Sequence, residues 1–410
     1  MTLRQDCEQI VRRSIAAVQP DEAVRRALEG RAFPTGRLVL VSVGKAAWSM
    51  AKTAWDCVGE RVDSGIVITK HGYAQGPIGS LRVREAGHPV PDEDTFSATE
   101  EALALTEGLG PEDAVLFLLS GGGSALFEAP LVPQRELQGI TKQLLSSGAD
   151  IVEMNTIRKR LSAVKGGRFA KHCAPAHVFS VVLSDIIGDP LDMIASGPAY
   201  PDSSTCEEAK AIARRYGLTL SPAAEHCLGE ETPKVLDNVE TVITGSVREL
   251  CSAAAGACRD LGYEPILLTD SLDCEAREAG AFLAAIARSH QGTDRSLAFL
   301  AGGETVVHLT GSGLGGRNQE LALSAAAGID GLRDTAVFSV GSDGTDGPTD
   351  AAGGFVTGET RRALAQKGIR IFQVLRDNDA YHALSACDGL LITGATGTNV
   401  NDVAVVLIRR

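Results

Sequence analysis

The strongest constraint on the fold is a repeated alternation of short apolar runs with longer alanine-rich stretches. Residues 38–43, 114–119 and 178–183 are almost entirely apolar, and each run leads into glycine or polar residues. Strands of a parallel sheet have this continuous apolar pattern because helices cover both of their faces. We therefore predict an α/β chain with mostly parallel sheets.

The length of the chain and a change in composition predict two domains. A chain of 410 residues exceeds what one hydrophobic core usually serves. The stretch 229–238 is polar and contains proline, and the alternation of strand and helix patterns starts again after it. We place an N-terminal α/β domain at residues 1–235 and a C-terminal α/β domain at residues 236–410.

Charge and composition exclude several classes of protein. The net charge of −13 argues against a general nucleic-acid or anionic-membrane binder. The nine cysteines show no Cys-x-x-Cys spacing, which is typical of small buried residues in a reducing compartment. No apolar run approaches the roughly 20 residues that a membrane span needs. The first residues indicate an amphipathic helix without a signal-peptide core. A soluble, cytoplasmic protein is expected.

Two glycine-containing loops at predicted strand ends are candidate phosphate sites. Lys45 follows Gly44 at the start of a predicted helix, where an ammonium and helix N–H groups both attract phosphate. The second loop combines three glycines with flanking serines and predicts an anion-binding nest of backbone N–H groups. Its residues are Ser120, Gly121, Gly122, Gly123 and Ser124. An exposed lysine and a merely flexible turn are the respective alternatives, and the Walker A pattern is absent.

Three further segments are rich in charge. Residues 153–170 concentrate five basic side chains, which form either a solvated face or a wall that faces an anion. Asp185 and Asp189 lie near the end of the third apolar run, where carboxylates suit Mg²⁺ and loop capping is the alternative. The acidic stretch 341–354 contains Asp343, which could orient a substrate hydroxyl, accept its proton or bind Mg²⁺.

A dinucleotide site is the main competing interpretation. Gly311, Gly313 and Gly316 formally satisfy the G-x-G-x-x-G fingerprint, but the acidic residue expected about 20 positions later is poorly placed, with Asp343 the nearest candidate. Arg317 follows at a predicted helix start and suits a phosphate or a transferring phosphoryl group. The zinc motif H-E-x-x-H and the hydrolase motif G-x-S-x-G are both absent.

Taken together, eight stretches from about residue 40 to the C-terminus resemble the class II glycerate kinase family, whose C-terminal half is a MOFRL-type domain. They are SVGKAAWSMA, EAGHPVPDE, LLSGGGSALFEAP, EMNTIRKRLSAVKGGRFA, SDIIGDPLDMIASGPAYPD, GGETVVHLTGSGLGGRNQELAL, GSDGTDGPTDAAG and LITGATGTNVND. Each is modestly specific, and the ordered series is highly specific. One departure is that His71 precedes Gly72, where the family often has Gly-His, which weakens any role for His71.

The resemblance implies ATP-dependent phosphorylation of D-glycerate, usually at the 2-hydroxyl, to give 2-phosphoglycerate. It also implies two three-layer α/β/α domains, the first Rossmann-like and the second of the MOFRL type, with the active site in the cleft between them. The family's cleft residues fall on Lys45, Asp185, Glu304, Arg317, Asp343 and Asn399. ATP and Mg²⁺ are the implied cofactors, D-glycerate is the implied small-molecule partner, and a homodimer is left open.

The expected roles follow from phosphoryl transfer, which needs alignment and charge neutralisation more than covalent help. Lys45 and Arg317 are expected to neutralise charge on the transferring group, while the loop 120–124 binds an anion. The other assignments are Asp185 or Asp189 to hold Mg-ATP, Asp343 to orient or deprotonate the glycerate hydroxyl, and Glu304 and Asn399 to position substrate or metal.

Three alternatives remain at this point. Phosphorylation at the 3-hydroxyl is an alternative regiochemistry. An NAD(P)H-dependent hydroxypyruvate reductase would use the loop 311–316, although no His–carboxylate pair is evident for proton delivery. A non-enzymatic sensor of nucleotide or hydroxy acid would bind the same ligands without turnover.

Overall fold

The computed structural model describes residues 2–188 and 190–410, which form two compact units. The N-terminal unit comprises Ala23–Ser184 and Asp189–Thr244. The C-terminal unit comprises Met1–Glu22, Asp185–Gly188 and Gly245–Arg410. The polar stretch 229–238, from which we placed the boundary between the predicted domains, lies within the N-terminal unit.

Both units follow the alternation of strands and helices that the sequence predicts. The strands are β1 (Leu38–Val43), β2 (Ser64–Lys70), β3 (Arg82–Ala86), β4 (Ala114–Leu119), β5 (His177–Leu183), β6 (Val239–Gly245), β7 (Glu264–Leu272), β8 (Leu297–Gly303), β9 (Thr335–Gly341), β10 (Gly353–Thr357), β11 (Leu390–Leu391) and β12 (Asp402–Ile408). The helices are α1 (Leu3–Ala17), α2 (Pro20–Leu28), α3 (Ala47–Val58), α4 (Glu93–Leu105), α5 (Gly123–Leu126), α6 (Gln134–Ser146), α7 (Ile151–Arg160), α8 (Arg168–Cys173), α9 (Cys206–Arg215), α10 (Pro222–Gly229), α11 (Val247–Asp260), α12 (Ala276–Ser289), α13 (Arg317–Gly328), α14 (Thr360–Gln366), α15 (Ile371–Asp377) and α16 (Ala380–Ser385). Single 3-10 turns occur at Gly59–Arg61 and Ile194–Ser196.

The sheet of the N-terminal unit has the strand order β3-β2-β1-β4-β5-β6, and the pairs from β3 to β5 are parallel. β1 and β4 are fully buried and aligned residue by residue, ending with Val43 opposite Leu119. One face packs on α2 and α3, and the other carries Phe117 against Phe127 and Phe169. Because parallel strands end at one edge of a sheet, the loops after β1 and β4 lie side by side.

The sheet of the C-terminal unit has the strand order β11-β10-β9-β12-β8-β7. β7 pairs parallel with β8, whereas β12 lies antiparallel between β8 and β9, and β10 is antiparallel to β9. Four strands therefore run in one direction, and β10 and β12 run against them. The α/β prediction is confirmed, but the two opposed strands were not anticipated from the sequence.

Helix α1 opens the chain and packs in the C-terminal unit. Its first turn has a capping box, in which the Thr2 side chain accepts from the Gln5 N–H and the Gln5 side chain accepts from the Thr2 N–H. Ile10, Val11 and Ile15 on its apolar face join the core formed with α11 and with strands β8, β9 and β12. The amphipathic helix predicted for the first residues is therefore present, and it covers one face of this sheet.

A buried polar network fixes α1. Asp6 accepts a hydrogen bond of 2.6 Å from the Tyr263 hydroxyl and contacts the Arg409 guanidinium. Arg409 Nε donates in turn to the Tyr263 oxygen over 3.2 Å. Burial, and after it the hydrogen bond to Asp6, raises the pKa of Tyr263 above its ordinary value, so the phenol remains a donor. The network thus joins three distant parts of the chain inside one unit.

The described chain, residues 2–188 and 190–410, contains no helix with the length and apolar character needed to cross a membrane. All nine cysteines are free thiols, and only Cys57 and Cys274 are exposed. Most of the cysteines are therefore small residues of the interior, as their irregular spacing predicts.

We expect Tyr263→Phe to lower the free energy of unfolding by about 1–2 kcal/mol, because the buried Asp6 carboxylate loses a hydrogen-bond donor. Urea denaturation followed by circular dichroism measures this change. The control is Arg13→Gln, which breaks an exposed ion pair with Asp260 and should cost less than about 0.5 kcal/mol. Equal effects of the two substitutions would contradict a stabilising role for the buried network.

Candidate active site

The loops that follow β1 and β4 are joined by hydrogen bonds. The Lys45 N–H donates to the Gly121 carbonyl over 2.9 Å. The Ala46 N–H donates to Ser120 Oγ over 3.1 Å. Gly44 has a φ of 125°, and a Cβ at this position would lie 2.2 Å from Ser120 Oγ. Only glycine fits at position 44, and this close approach places Lys45 beside the second loop.

The loop 120–124 presents backbone donors that the protein itself does not use. Within residues 2–188 and 190–410, the N–H groups of Gly121, Gly122 and Gly123 donate no hydrogen bond. Gly122 has a φ of 86°, in the left-handed region that favours glycine. Consecutive free N–H groups around a left-handed residue are the elements of an anion-binding nest. The loop therefore has the donors that the sequence-based interpretation requires.

Lys45 and His88 flank this loop. A Cβ on Gly122 would lie 3.3 Å from Lys45 Cε and 3.1 Å from His88 Nε2. Lys45 is half-buried, and its ammonium forms no ion pair with any described residue. Burial, and after it the charges of Lys45 and Lys70, lowers the pKa of His88, which keeps the imidazole neutral at neutral pH. His88 was not singled out from the sequence, because an isolated histidine before a proline carries little signal.

Four of the five basic side chains in segment 153–170 serve the interior of the unit. Lys159 pairs with Asp202 over 3.0 Å, Arg160 bonds Ser204 and Glu231, Lys165 pairs with Glu128 over 3.0 Å, and Arg168 donates to three carbonyls of residues 159–162. Three of these four side chains are almost completely buried. Neither a solvated face nor an anion-facing wall therefore describes them.

Arg158 is the exception in this segment. It is half-buried, its Nη2 donates to the Ser124 carbonyl over 3.1 Å, and none of the described carboxylates lies within ion-pair distance. The hydroxyl oxygens of Ser124 and Ser196 lie 3.0 Å apart, and Ser196 donates to Asn155 Oδ1 over 3.1 Å. Ser196 has a φ of 62°, which residues other than glycine rarely adopt. The anion-facing interpretation remains for Arg158 alone.

In the C-terminal unit, two carboxylates hold Arg317 at the first position of α13. Its Nε and Nη2 donate to the two oxygens of Asp402 over 2.6 and 3.1 Å. Its Nη1 donates to Glu304 Oε1 over 2.7 Å. The bidentate pair with Asp402 fixes the plane of the guanidinium. A guanidinium has five N–H donors, so two remain for a ligand.

The charges in this cluster are coupled. Burial raises the pKa of Asp402 to about 6, although the pairing with Arg317 opposes this shift. Burial acts to lower the pKa of Arg317, but Asp402 and Glu304 hold that pKa above its ordinary value. The Arg317–Asp402 pair is therefore mostly charged at neutral pH and loses the carboxylate charge as the pH falls through about 6.

Strand register explains why these residues meet. Asp402 opens β12 and lies opposite Gly303 at the end of β8 and Gly341 at the end of β9. Glu304 directly follows β8, and Asp343 follows β9 by two residues. The Oδ1 atoms of Asp343 and Asp402 both lie 3.3 Å from the position that a Cβ on Gly341 would occupy. The structure thus brings three of the predicted side chains together and adds Asp402, which the sequence analysis missed.

Asn401, and not Asn399, reaches this cluster. Asn401 Nδ2 donates to Glu304 Oε2 over 3.0 Å and to the Asp185 carbonyl over 3.3 Å. Asn401 is buried with a φ of 64°, and its Oδ1 has no hydrogen-bond partner in the part of the chain that the structure describes. Asn399 is exposed, and in that part of the chain its side chain makes no hydrogen bond. Both asparagines belong to the run NVND, from which the sequence analysis selected Asn399 alone.

A second carboxylate from the acidic stretch 341–354 orients Arg317 indirectly. Asp346 accepts from the backbone N–H of Asn318 over 3.1 Å and of Gln319 over 2.8 Å. Burial raises the pKa of Asp346, while these two hydrogen bonds oppose the shift. Because these N–H groups belong to the first turn of α13, Asp346 caps the helix and fixes its start at Arg317.

Of the two predicted metal ligands, the structure describes Asp185 alone. Asp185 presents its carbonyl to Asn401, and Asp189 lies outside the described residues. Among the described residues, one set of three potential metal ligands is close together. The set is His71, Asp92 and Asp94. The unpartnered Oδ1 of Asn401 is the kind of oxygen ligand that Mg²⁺ takes together with phosphate oxygens and water, so this one buried oxygen fits the ion.

The glycines of the formal dinucleotide fingerprint are explained by packing within the unit. A Cβ on Gly311 would lie 2.3 Å from Asp377 Cα, and a Cβ on Gly313 would lie 2.4 Å from Asp379 Cβ. The Gly313 N–H also donates to the Asp377 carbonyl over 2.8 Å. A long loop separates β8 from α13, whereas a dinucleotide site joins strand and helix directly. The loop therefore lacks the geometry of a nicotinamide site.

Two family models match the chain. The model described as "Domain of unknown function (DUF4147)" matches residues 6–229, and the model described as "MOFRL family" matches residues 297–402. The first spans more than half of the chain. The eight stretches that carry the resemblance lie mostly within these two ranges.

Known relatives match over nearly the whole length. The D-glycerate 2-kinase of Thermotoga maritima is 51% identical, with 98% of this chain and 97% of that protein covered. A protein of Agrobacterium vitis with the provisional name hydroxypyruvate reductase is 40% identical, with 100% and 95% covered. The crystal structure of the glycerate kinase from Thermotoga maritima superimposes with a TM-score of 0.96 at 50% identity, with 99% of each chain covered. The chain belongs to the glycerate kinase family whose C-terminal part is a MOFRL domain.

Proposed function

We propose that this chain catalyses ATP-dependent phosphorylation of D-glycerate at the 2-hydroxyl, giving 2-phosphoglycerate. The observation that carries the proposal is Lys45, whose ammonium has no ion pair among the described residues and lies beside three N–H groups of loop 120–124 that those residues leave unused. Such an arrangement is a receptor for an anion. The similarity to the D-glycerate 2-kinase of Thermotoga maritima supports the choice of substrate and of hydroxyl group.

Charge neutralisation during transfer is assigned to Lys45 and Arg317. Phosphoryl transfer passes through a state whose negative charge is spread over three oxygens, and fixed cations stabilise this state without reorganisation. Lys45 has no competing carboxylate among the described residues, and two N–H groups of Arg317 remain available. The loop 120–124 binds an anionic group through its backbone donors.

ATP is the proposed phosphate donor, and Mg²⁺ is its proposed companion ion. Mg²⁺ neutralises charge on the terminal phosphates of ATP when it is bound. Asp185 and the amide oxygen of Asn401 would hold it. The unpartnered Oδ1 supports the choice of Asn401, and the choice of Asp185 comes from the sequence. We also propose Asp189 as a ligand of Mg-ATP, on the sequence alone.

The remaining side chains act on the substrate or on other side chains. Asp343 is half-buried, and its Oδ1 already accepts from the Thr345 N–H over 3.0 Å, which fixes the carboxylate that would orient or deprotonate the hydroxyl. Glu304 uses both oxygens for Arg317 and Asn401 and is therefore a positioning residue. Asn399, exposed on its loop, is assigned a direct contact with substrate.

The proposed function is tested by following ADP release with D-glycerate and ATP, and by phosphorus NMR of the product. We expect ADP to appear only when both substrates are present. The product phosphorus should couple to one carbon-bound proton, as in 2-phosphoglycerate. Coupling to two protons would assign the 3-hydroxyl. Oxidation of NADH by hydroxypyruvate without ATP would contradict kinase function altogether.

We expect Lys45→Met to lower kcat by about 10²–10³-fold while the fold survives, because the substitution removes a cation but keeps an unbranched side chain of similar size. Steady-state kinetics with saturating ATP and D-glycerate measure this loss. The matched control is Lys52→Met on α3, where the exposed lysine pairs with Asp56 and turnover should be unchanged. Near-normal kcat in a folded Lys45→Met protein would refute the role of Lys45.

We expect Asp402→Asn to lower kcat by about 10–100-fold at neutral pH, because Arg317 loses its charged bidentate partner. In the unsubstituted enzyme, kcat should also fall as the pH drops through about 6, where Asp402 takes up a proton. This fall on the acidic side of the pH profile of kcat should be missing from Asp402→Asn. The control is Asp260→Asn, an exposed residue of the same unit. An acidic limb that persists in Asp402→Asn would assign it to another group.

The same shift predicts the sign of a stability change. The folded chain binds the Asp402 proton more tightly than the unfolded chain, because the folded-state pKa of about 6 exceeds the ordinary value of 3.8. The charged carboxylate therefore costs stability above pH 6, and this cost is relieved as the pH falls towards 4. Asp402→Asn should flatten the dependence of the melting temperature on pH across this window.

A further inference from the structure

A group of buried charges in the N-terminal unit is not balanced. Lys165 and Glu128 are both completely buried and pair over 3.0 Å. Burial lowers the pKa of Lys165, and the paired Glu128 opposes this shift. Arg158 is close enough for its charge to act on both members of the pair. Among the described residues, two basic side chains therefore share one carboxylate, which leaves one basic side chain in excess.

Arg158 has the donors to bind an anion. Only one of its N–H groups is used, in the 3.1 Å hydrogen bond to the Ser124 carbonyl. None of the carboxylates in residues 2–188 and 190–410 lies within ion-pair distance of it. A half-buried guanidinium without a partner is unfavourable, and an entering anion removes this cost. Its planar fork matches a carboxylate in bidentate geometry.

The neighbouring Ser124 hydroxyl is a second possible donor. Ser196 donates to Asn155 Oδ1, so the 3.0 Å contact between Ser124 and Ser196 places the donor on Ser124. A hydroxyl has one proton, so the Ser124 hydroxyl can donate to a ligand oxygen only by giving up its hydrogen bond to Ser196. The carbonyl of the same residue accepts from Arg158, which keeps Ser124 next to the guanidinium. Arg158 and Ser124 therefore present donors from adjacent positions.

The size of the surplus charge favours a carboxylate over a polyphosphate. One excess positive charge is balanced by a monoanion, whereas a nucleoside triphosphate would bring several negative charges. We propose that Arg158, assisted by the Ser124 hydroxyl, binds the carboxylate of D-glycerate. This assignment rests on the proposed function. It makes Arg158 a specificity-determining residue that distinguishes a hydroxy acid from a neutral polyol.

The first test is Arg158→Gln, which removes the charge and keeps a hydrogen-bond donor. We expect the KM for D-glycerate to rise about 10- to 100-fold, because the substrate loses a hydrogen bond to a charged group. The KM for ATP should change less than about 3-fold. The matched control is Arg135→Gln on α6, where an exposed arginine of the same unit is lost and both KM values should stay unchanged. Arg158→Lys keeps the charge without the fork and should give an intermediate KM.

The second measurement separates binding of the carboxylate from a structural role. Glyceramide keeps both hydroxyl groups of glycerate and replaces the carboxylate by a neutral amide. The ratio of kcat/KM for D-glycerate to that for glyceramide should be large in the unsubstituted enzyme and should fall at least about 10-fold in Arg158→Gln. A merely structural arginine would lower both activities alike and leave this ratio unchanged.

Each outcome decides the assignment. An unchanged KM for D-glycerate in folded Arg158→Gln, an unchanged ratio, or a rise confined to the KM for ATP overturns it. If Arg158→Gln does not fold, the same comparison is made with Arg158→Lys, where the ratio should still fall. If no glycerate is phosphorylated by the unsubstituted enzyme, the proposed function fails. Calorimetric titration with D-glycerate then tests Arg158 separately. Equal affinities of the unsubstituted protein and Arg158→Gln for D-glycerate overturn the assignment.

Discussion

One strand that runs against its neighbours determines the arrangement around Arg317. β12 lies antiparallel between β8 and β9, so its first residue, Asp402, sits at the edge where those two strands end. In a sheet of parallel strands alone, Asp402 would open at the opposite edge. Glu304 and Asp343 leave β8 and β9 at the same level, and Asp346 fixes the start of α13. Local hydrogen bonds add precision to this cluster, but strand direction is what makes it possible.

The N-terminal unit also places cations beside the ends of its strands, but it does so with parallel strands and with hydrogen bonds between loops. Backbone and hydroxyl hydrogen bonds join the loops after β1 and β4, and glycine allows their close approach. The cations there, Lys45 and Arg158, have no carboxylate partner among the described residues, whereas Arg317 in the other unit is held by two. An unpaired cation gains the most binding free energy when an anion enters. A paired cation gains less, but its partners already hold it in a fixed orientation. The two units therefore supply two kinds of positive charge.

Prediction from the sequence succeeded where the signal is local. The bounds of β1 and β4 agree with the apolar runs 38–43 and 114–119, because strands buried on both faces leave an uninterrupted pattern. β3 was missed because it is a partly exposed strand with alternating charges, and β10 because it begins with two glycines. In the site, the glycine loop and Arg317 were recognisable from their own sequence. Asp402 and His88 were not, since their positions depend on strand pairing and on contacts between distant segments. The sequence also could not show that Arg158 lacks a carboxylate partner among the described residues, because this depends on which side chains its four basic neighbours contact.

The placement of α1 has a consequence for synthesis of the chain. Its apolar face packs on α11 and on strands up to β12, and Asp6 reaches partners 257 and 403 residues further along. During translation this helix is made before its partners, and its apolar face stays in water until β12 has been made. The residues of the N-terminal unit are complete much earlier, so the C-terminal unit is expected to fold last, through contacts of high sequence separation. A fragment that starts at Gly245 would leave the apolar surface beneath α1 uncovered, and aggregation of that fragment is the expected result.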